Sequence, residues 1–522
     1  MRKMFLGVLT AAAVTFTAPA FAELQNVTVD GSIQIRYNYY RNLISSPTGE
    51  QVRWPGFFLG GRPMGVGGGH LTSPYRWSSR GNDLDFTEAR TRLGVHADFT
   101  DQVSAYIELD NYHVWGDDFR ANWITGDDFG PVGDSNVNIY QAYVQAEEMW
   151  NTPLALRIGR QELEFGSSWL VGSNSSAPSF TGLSFDGVRA TWADDLFSLD
   201  IFATQLDENS PLWQDDAVNF SGVYGSYLGV EDMTFDAYWL WLRDPRPIQD
   251  TNFVFLAEWI EDLFGVDQYD TTNIHTVGLR GAGMYAGFDY EAEVAYQWSP
   301  SRGAGQVGQL FRPFRYGDNR AKYGEWGAHA EVGYTVDMET QPRVFLGGAY
   351  YGGEDNRDLN FWQWLNPFYR PQASMSFNRL FSDVQHSEFF GLRNMSNVWL
   401  VNGGVQAMPT EDIELELVAT YFRAVEEFRA PAHFRLGRYR VPIAPNLSFW
   451  DRGGSTNLGW ELGLYGTYHY TEDLTFEAGW AHFFTSSGMT DGAFVDRNGL
   501  GFTGGSGSSD ADYFFVETRL SF

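Results

Sequence analysis

Apolar and polar residues alternate along this chain in segments of about ten residues or more, and these segments come in pairs. A β-strand tilted across a bilayer needs about 9–11 residues, and only every second one has to be apolar. Asp85–Phe99 turns into Val103–Trp115 at Thr100-Asp101-Gln102, and Ile139–Glu147 into Leu154–Leu163 at Asn151-Thr152-Pro153. Ser184–Ala193 meets Leu196–Thr204 at Asp194-Asp195, and Val218–Gly229 meets Met233–Leu242 at Glu231-Asp232. Asn273–Tyr285 and Phe288–Trp298 share Ala286-Gly287; Gly324–Val336 and Arg343–Tyr351 are joined around Asp337–Pro342. Val398–Met408 and Ile413–Tyr421 meet at Thr410-Glu411-Asp412, and Leu458–Tyr470 and Leu474–Phe484 at Thr471-Glu472-Asp473. With Val27–Tyr40 first and Ala511–Phe522 last, the pattern predicts about eighteen strands, short turns on one side and long loops on the other. That asymmetry is expected of an all-β transmembrane antiparallel barrel with short periplasmic turns and long extracellular loops.

The ends agree. Arg2 and Lys3, an apolar stretch from Met4 to Phe16, and Ala20-Phe21-Ala22 read as a secretory signal over residues 1–22. Residues 23–522 are then expected to form a single barrel domain. The closing strand puts Phe514, Val516, Leu520 and Phe522 on one face and Phe515, Glu517, Arg519 and Ser521 on the other. A lipid-facing row that pairs back onto the first strand has this form. The terminal Phe522 resembles the signal read by the outer-membrane assembly machinery, an expected partner together with outer-membrane lipid and lipopolysaccharide.

Composition narrows the class. The formal net charge is -31, which argues against nucleic acid as a partner. There is no cysteine, hence no disulfide framework and no thiolate metal site. Aromatics make up 17% of residues, enough to furnish interfacial girdles, and the mean hydropathy is -0.31 with no long apolar run. The sequence holds no His-Glu-x-x-His and no Gly-x-Ser-x-Gly, and Gly65 to Gly69 lacks the Lys-Ser/Thr of a phosphate loop. Enzymatic activity and a bound cofactor are therefore not expected. Asp117, Asp118, Asp127, Asp128 and Asp134 crowd one loop, either solvated or loosely holding divalent cations. Phe253–Phe264 reads as a short loop helix. Phe361–Tyr369 could stack sugar rings or simply pack its own loop.

Parity assigns faces. With Leu93, Val95, Ala97 and Phe99 toward lipid, Arg90 and Arg92 point inward. The same rule sends Arg157, Arg189, Arg280, Arg343 and Arg519 inward, with Glu108, Asp110, Glu291, Glu293, Glu331, Glu414, Glu416, Glu461, Glu477 and Glu517. An Arg or Lys on the lipid face at mid-bilayer costs about 2–4 kcal/mol, which favours this assignment. Two readings stay open: arginine rows that select anions, or Arg–Glu ladders that brace a wet lumen. Lysine occurs only at Lys3 and Lys322. Two basic loops stand out in an acidic chain. One carries Arg302, Arg312, Arg315, Arg320 and Lys322 against Asp318; the other carries Arg429, Arg435, Arg438, Arg440 and Arg452 against Asp451. At least one is expected to fold inward as a cationic constriction, with Arg312, Arg315, Arg435, Arg438 and Arg440 as its candidates. Left outside, these loops would meet lipopolysaccharide phosphates.

The run Leu156-Arg-Ile-Gly-Arg-Gln-Glu-Leu-Glu-Phe-Gly166, followed by Trp169-Leu-Val-Gly172 and Ser184-Phe-Asp-Gly-Val-Arg189, resembles the alginate-export family of outer-membrane barrels. Arg90 to Phe99, Gln141-Ala-Tyr-Val144, Leu458 to Tyr465 and Ala478 to Phe484 follow the same order. The resemblance implies an eighteen-stranded barrel and an arginine-lined, anion-conducting pore through which an acidic polysaccharide such as alginate can leave the cell. Carried onto matching positions, it makes Arg90, Arg92, Arg157, Arg160 and Arg189 lining residues. Strict alternation after Leu156 and Ile158 sends Arg160 outward, so its lining role requires a bulge near Gly159 or a position above the membrane. The alternatives are an uptake porin for small solutes or sugars, and a sleeve around a partner protein.

Overall fold

The computed structural model describes residues 24–42, 83–116, 137–173, 180, 182–207, 217–245, 272–299, 322–353, 374–389, 395–427, 429–431, 433–436, 439–442, 451–453, 455–491, 494–496, 501–503 and 510–522. Eighteen long strands form one antiparallel ring. They are β1 Asn26–Arg41, β2 Leu84–Thr100, β3 Val103–Val114, β4 Asn138–Ala146, β5 Leu154–Gln161, β6 Phe185–Ala193, β7 Phe197–Asp207, β8 Val218–Val230 and β9 Met233–Asp244. The second half comprises β10 Thr272–Tyr285, β11 Phe288–Trp298, β12 Lys322–Thr335, β13 Arg343–Tyr351, β14 Val398–Thr410, β15 Ile413–Ala424, β16 Asn457–His469, β17 Leu474–Thr485 and β18 Ala511–Ser521. Each strand pairs with its neighbours in sequence, and β18 closes onto β1 with Glu517 opposite Arg36. Closure leaves no free sheet edge, the condition for backbone to cross hydrocarbon. Phe522 seals the seam: its backbone exchanges hydrogen bonds of 2.9 and 3.0 Å with Gly31.

The outer wall is apolar and exposed. Leu279 and Leu346 are 62% and 60% accessible, and Ile107, Val144, Leu417 and Leu464 stand out on the same side. Burying a side chain of this kind is worth about 1.5–3 kcal/mol, so a surface built this way belongs in lipid. Aromatic pairs ring both ends. At the short-turn end Phe288 packs on Tyr334 at 4.6 Å and Phe197 on Tyr227 at 5.1 Å. At the other end Tyr296 packs on Trp326 and Tyr421 on Trp460, both at 4.7 Å. Two girdles flanking an apolar band mark the membrane interfaces.

The buried core lies inside the ring. Two connections leave the wall and meet across the lumen: residues 162–173, between β5 and β6, and residues 376–389, between β13 and β14. Their strands are eight positions apart around the ring, so the two segments approach from nearly opposite sides. Backbone hydrogen bonds join them: Gly172 N donates to Phe381 O at 2.9 Å, Phe381 N to Leu170 O at 2.9 Å, and Asp383 N to Ser168 O at 3.0 Å. Leu163, Trp169, Leu170, Val171, Phe377 and Leu380 are buried there with Tyr351 of β13. This apolar cluster is what draws the segments inward, since it removes large side chains from a wet channel. The segment 162–165 is irregular rather than the end of a strand reaching Leu163, because the chain turns into the lumen after Gln161.

The basic loops are a different matter. Arg312 and Arg315 lie outside the described residues, as does Arg438. The backbone of a short hairpin, His433–Leu436 with Tyr439–Pro442, sets Arg435 opposite Arg440, and their side chains lie outside the described residues. The aspartate-rich loop, Gly65 to Gly69, Phe253–Phe264, Phe361–Tyr369 and the signal segment also lie outside them.

Candidate functional site

The lumen wall is built by parity. In β1, Gln34, Arg36 and Asn38 face inward and are buried; in β2, Arg90 faces inward and is buried and Arg92 faces inward half-buried, beside Leu93 and Val95, which are exposed. Arg90 Nε and Nη2 donate to the two oxygens of Asp110 at 2.9 and 3.0 Å. Arg92 is bonded to Glu108, whose other oxygen accepts from Gln141 at 2.8 Å. Both guanidiniums lie over the Tyr140 ring, at 5.2 and 5.0 Å. Tyr140 reaches this position through a bulge: Glu108 pairs with Gln141 and Leu109 with Ile139, so Tyr140 and Gln141 both turn inward.

The remaining inward arginines follow the same rule of local neutralisation. Arg189 donates to Asp200 at 2.7 Å. Arg280 bridges Asp236 and Glu291 at 2.8 and 2.7 Å. Arg343 holds Asp289 at 2.9 Å and Glu331 at 2.8 Å. Glu517 is a hub: it accepts from Arg36 Nε at 2.7 Å, Gln34 at 2.9 Å and Arg519 at 2.7 Å. Arg157 differs, bonding Gln145 at 2.7 Å and lying 4.3 Å from the Tyr143 ring centroid, with no carboxylate partner among the described residues. A guanidinium tied to a carboxylate at these distances is a brace, and its charge is cancelled locally.

Arg160 corrects the lining set carried over by resemblance. Register between β4 and β5 is unbroken at Gly159, so alternation holds and Arg160 faces the outer wall with Ile158. There it forms a bidentate pair with Asp186, 2.8 Å at both contacts, with the two side chains 43% and 55% exposed. Gly159 has φ of +132°, and a Cβ there would sit 2.2 Å from Ala142 O, so the position requires glycine for close strand approach.

Beneath the crossed segments lies a cavity of about 720 Å³, bounded by β1 and β12 to β18. Three arginines line it, Arg36, Arg343 and Arg519, against seven acids: Glu331, Asp383, Glu388, Glu414, Glu416, Glu461 and Glu477. Glu414, Glu416 and Glu477 make no ion pair among the described residues. Glu461 pins the crossing segment, accepting from Glu388 N at 2.8 Å and from the Ser387 hydroxyl. In that segment burial raises the Glu388 carboxyl above its ordinary range. Burial, with Arg379 and His329 nearby, holds His386 well below its ordinary value, and Tyr351 and His386 share a 2.7 Å contact.

Sequence reasoning missed several of these groups. Arg36 was available, because the β1 alternation that buries Gln34 and Asn38 buries it too. Arg379, His386 and Glu388 were not, because they lie in an irregular segment where parity has no meaning.

The alginate export family model matches residues 75–498 of this chain. The chain belongs to the alginate export family. It is an outer-membrane porin channel, a closed antiparallel barrel of eighteen strands. Among solved structures it is similar to OccK8 (OprE) of Pseudomonas aeruginosa, at 12% identity and a TM-score of 0.45, covering 95% of this chain and 98% of that one. It is also similar to OccAB2 of Acinetobacter baumannii, at 9% identity and a TM-score of 0.47, covering 95% and 98%. Nothing about solutes follows from likeness at that distance. No curated protein matches the chain.

Proposed function

We propose that this alginate-export barrel is a passive channel for small solutes that favours cationic and zwitterionic species over anions. The observation that carries this is the cavity of about 720 Å³, where each of three arginines is tied to a carboxylate while Glu414, Glu416 and Glu477 have no ion pair among the described residues. A confined surplus of one sign raises the local concentration of the opposite one. The crossed segments favour small solutes as well, since they join across the lumen and narrow the path open to a polymer.

A second reading is favoured by the family match itself: export of an acidic polysaccharide, with the crossed segments withdrawn and the basic loops guiding the chain. Liposome swelling separates the two. Proteoliposomes are placed in isosmotic solutions of a basic amino acid, a neutral hexose and a uronic acid. The first reading expects the basic amino acid to enter fastest and the uronic acid slowest. The reverse order supports the second reading.

A further inference from the structure

We propose that Glu291, Glu293 and His329 form a binding site for one divalent first-row transition-metal ion of the Zn²⁺ type on the lumen wall. Glu291 and Glu293 are two residues apart on β11, so they share the inner face. His329 stands directly opposite Glu293 on β12. Its Nε2 lies 3.3 Å from Glu291 Oε1 and 3.5 Å from Glu293 Oε2, and one ligand atom from each residue falls within a 4.8 Å span. Zn–N and Zn–O bonds of about 2.0–2.2 Å make the edge of a coordination tetrahedron about 3.3–3.6 Å, so the observed separations are those of ligands around a common ion.

The surroundings orient these atoms. Glu291 Oε2 is engaged by Arg280 at 2.7 Å and Glu293 Oε1 by Tyr238 OH at 2.6 Å, which leaves Oε1 of the first and Oε2 of the second for a ligand. Such outer partners are what fix metal-binding carboxylates. The His329 ring is held against Trp169 of the crossing segment, 4.9 Å between centroids. Its Nε2 is buried and makes no hydrogen bond despite facing two carboxylates, and buried Asp236 beside Arg280 also has an unbonded Oδ1. With His329 neutral, Asp236, Glu291 and Glu293 against Arg280 leave a local charge of about -2, which a dication cancels. An imidazole beside carboxylates suits Zn, Fe or Ni rather than Ca²⁺ or Mg²⁺, which take oxygen ligands. Three protein ligands leave a fourth position toward the lumen for water or an anionic group of a passing solute.

The test uses the refolded full-length barrel, titrated with Zn²⁺ against a chromophoric chelator, with zinc X-ray absorption on the loaded protein. The expected result is one Zn²⁺ per barrel with one nitrogen and two protein oxygens in its shell. His329→Gln and Glu293→Gln should each weaken binding more than about 100-fold, and Tyr238→Phe, which removes only an orienting bond, by about 10–100-fold. Heat-modifiable migration on gels shows that each variant is folded. Absence of saturable binding by the folded barrel would overturn the proposal and leave an imidazolium as the positive group between the carboxylates. Binding unchanged in His329→Gln would overturn it equally, by placing the zinc elsewhere.

Discussion

Two neighbouring stretches of the lumen wall, separated only by β18, hold charge in opposite ways. On β1 to β3 the basic groups Arg36, Arg90 and Arg92 are each locked to an acid. On β15 to β17 Glu414, Glu416 and Glu477 stand without ion pairs among the described residues. The first stretch is braced, its charges cancelled locally, whereas on the proposed reading the second acts on mobile ions. A row of arginines in a pore is therefore not by itself an anion filter; what matters is which charges have no partner of their own.

The sharpest way to break this contrast is on the braced side. Arg36 and Glu517 have side chains only 5% and 1% exposed. Arg36→Met leaves the Glu517 carboxylate buried beside Arg519 alone, and should cost about 3–5 kcal/mol, read as a lower urea midpoint in lipid vesicles. Its ion selectivity should stay cation-leaning. On the other side the pattern reverses: Glu414→Gln, Glu416→Gln and Glu477→Gln together should move the K⁺/Cl⁻ permeability ratio toward unity in single-channel recordings and leave the urea midpoint nearly unchanged. If the triple variant keeps the wild-type ratio, the unpaired side does not set selectivity.

A smaller effect is expected in the crossing segment between β13 and β14, which contacts Glu461 of β16. His386 is held neutral in place, with its pKa well below the ordinary 6.5, while the released, hydrated ring would have its ordinary value. The released state therefore binds more protons, so the stability of the inward position falls as pH drops below about 6.5. Glu388, raised by burial, works the other way: its inward state is the one that holds the proton, so acid favours it. His386→Gln removes only the first contribution. Limited proteolysis of the segment between pH 7.5 and 5 should show less acid-induced cleavage in this variant than in Glu388→Gln. Equal acid responses in the two would mean that neither group governs the segment. Least of all should happen at the outer pair: Arg160→Ala removes a contact half exposed at the wall, worth about 0–1 kcal/mol, with no change in permeability ratio.

The sequence made the ring legible because a period of two carries over ten residues, and eighteen alternating segments lie within a few residues of the observed strands. It also assigned the inward arginines on β2, β5, β6, β10, β13 and β18. Arg160 shows where resemblance and parity disagreed and parity held, since Gly159 is a close-approach glycine without a register shift. The crossing segments were hidden for a different reason. Inward folding was expected of loops rich in arginine, but the segments that cross the lumen are held by Leu163, Trp169, Phe377 and Phe381, whose burial has no strand period to announce it. Tyr140 was obscured by a bulge, which shifts parity without any composition signal. His329 was visible on β12, but the carboxylates it meets belong to the next strand, and only the register shows the three together.

On the proposed reading the unpaired acids outweigh the braced arginines. The most direct test is the reversal potential of the purified, refolded barrel in a planar bilayer across a KCl gradient. A potential of the sign for K⁺ preference is expected, shrinking as salt rises and screens the lumen charge. A potential of the opposite sign would contradict it, and would mean that basic groups beyond the described lumen control the passage.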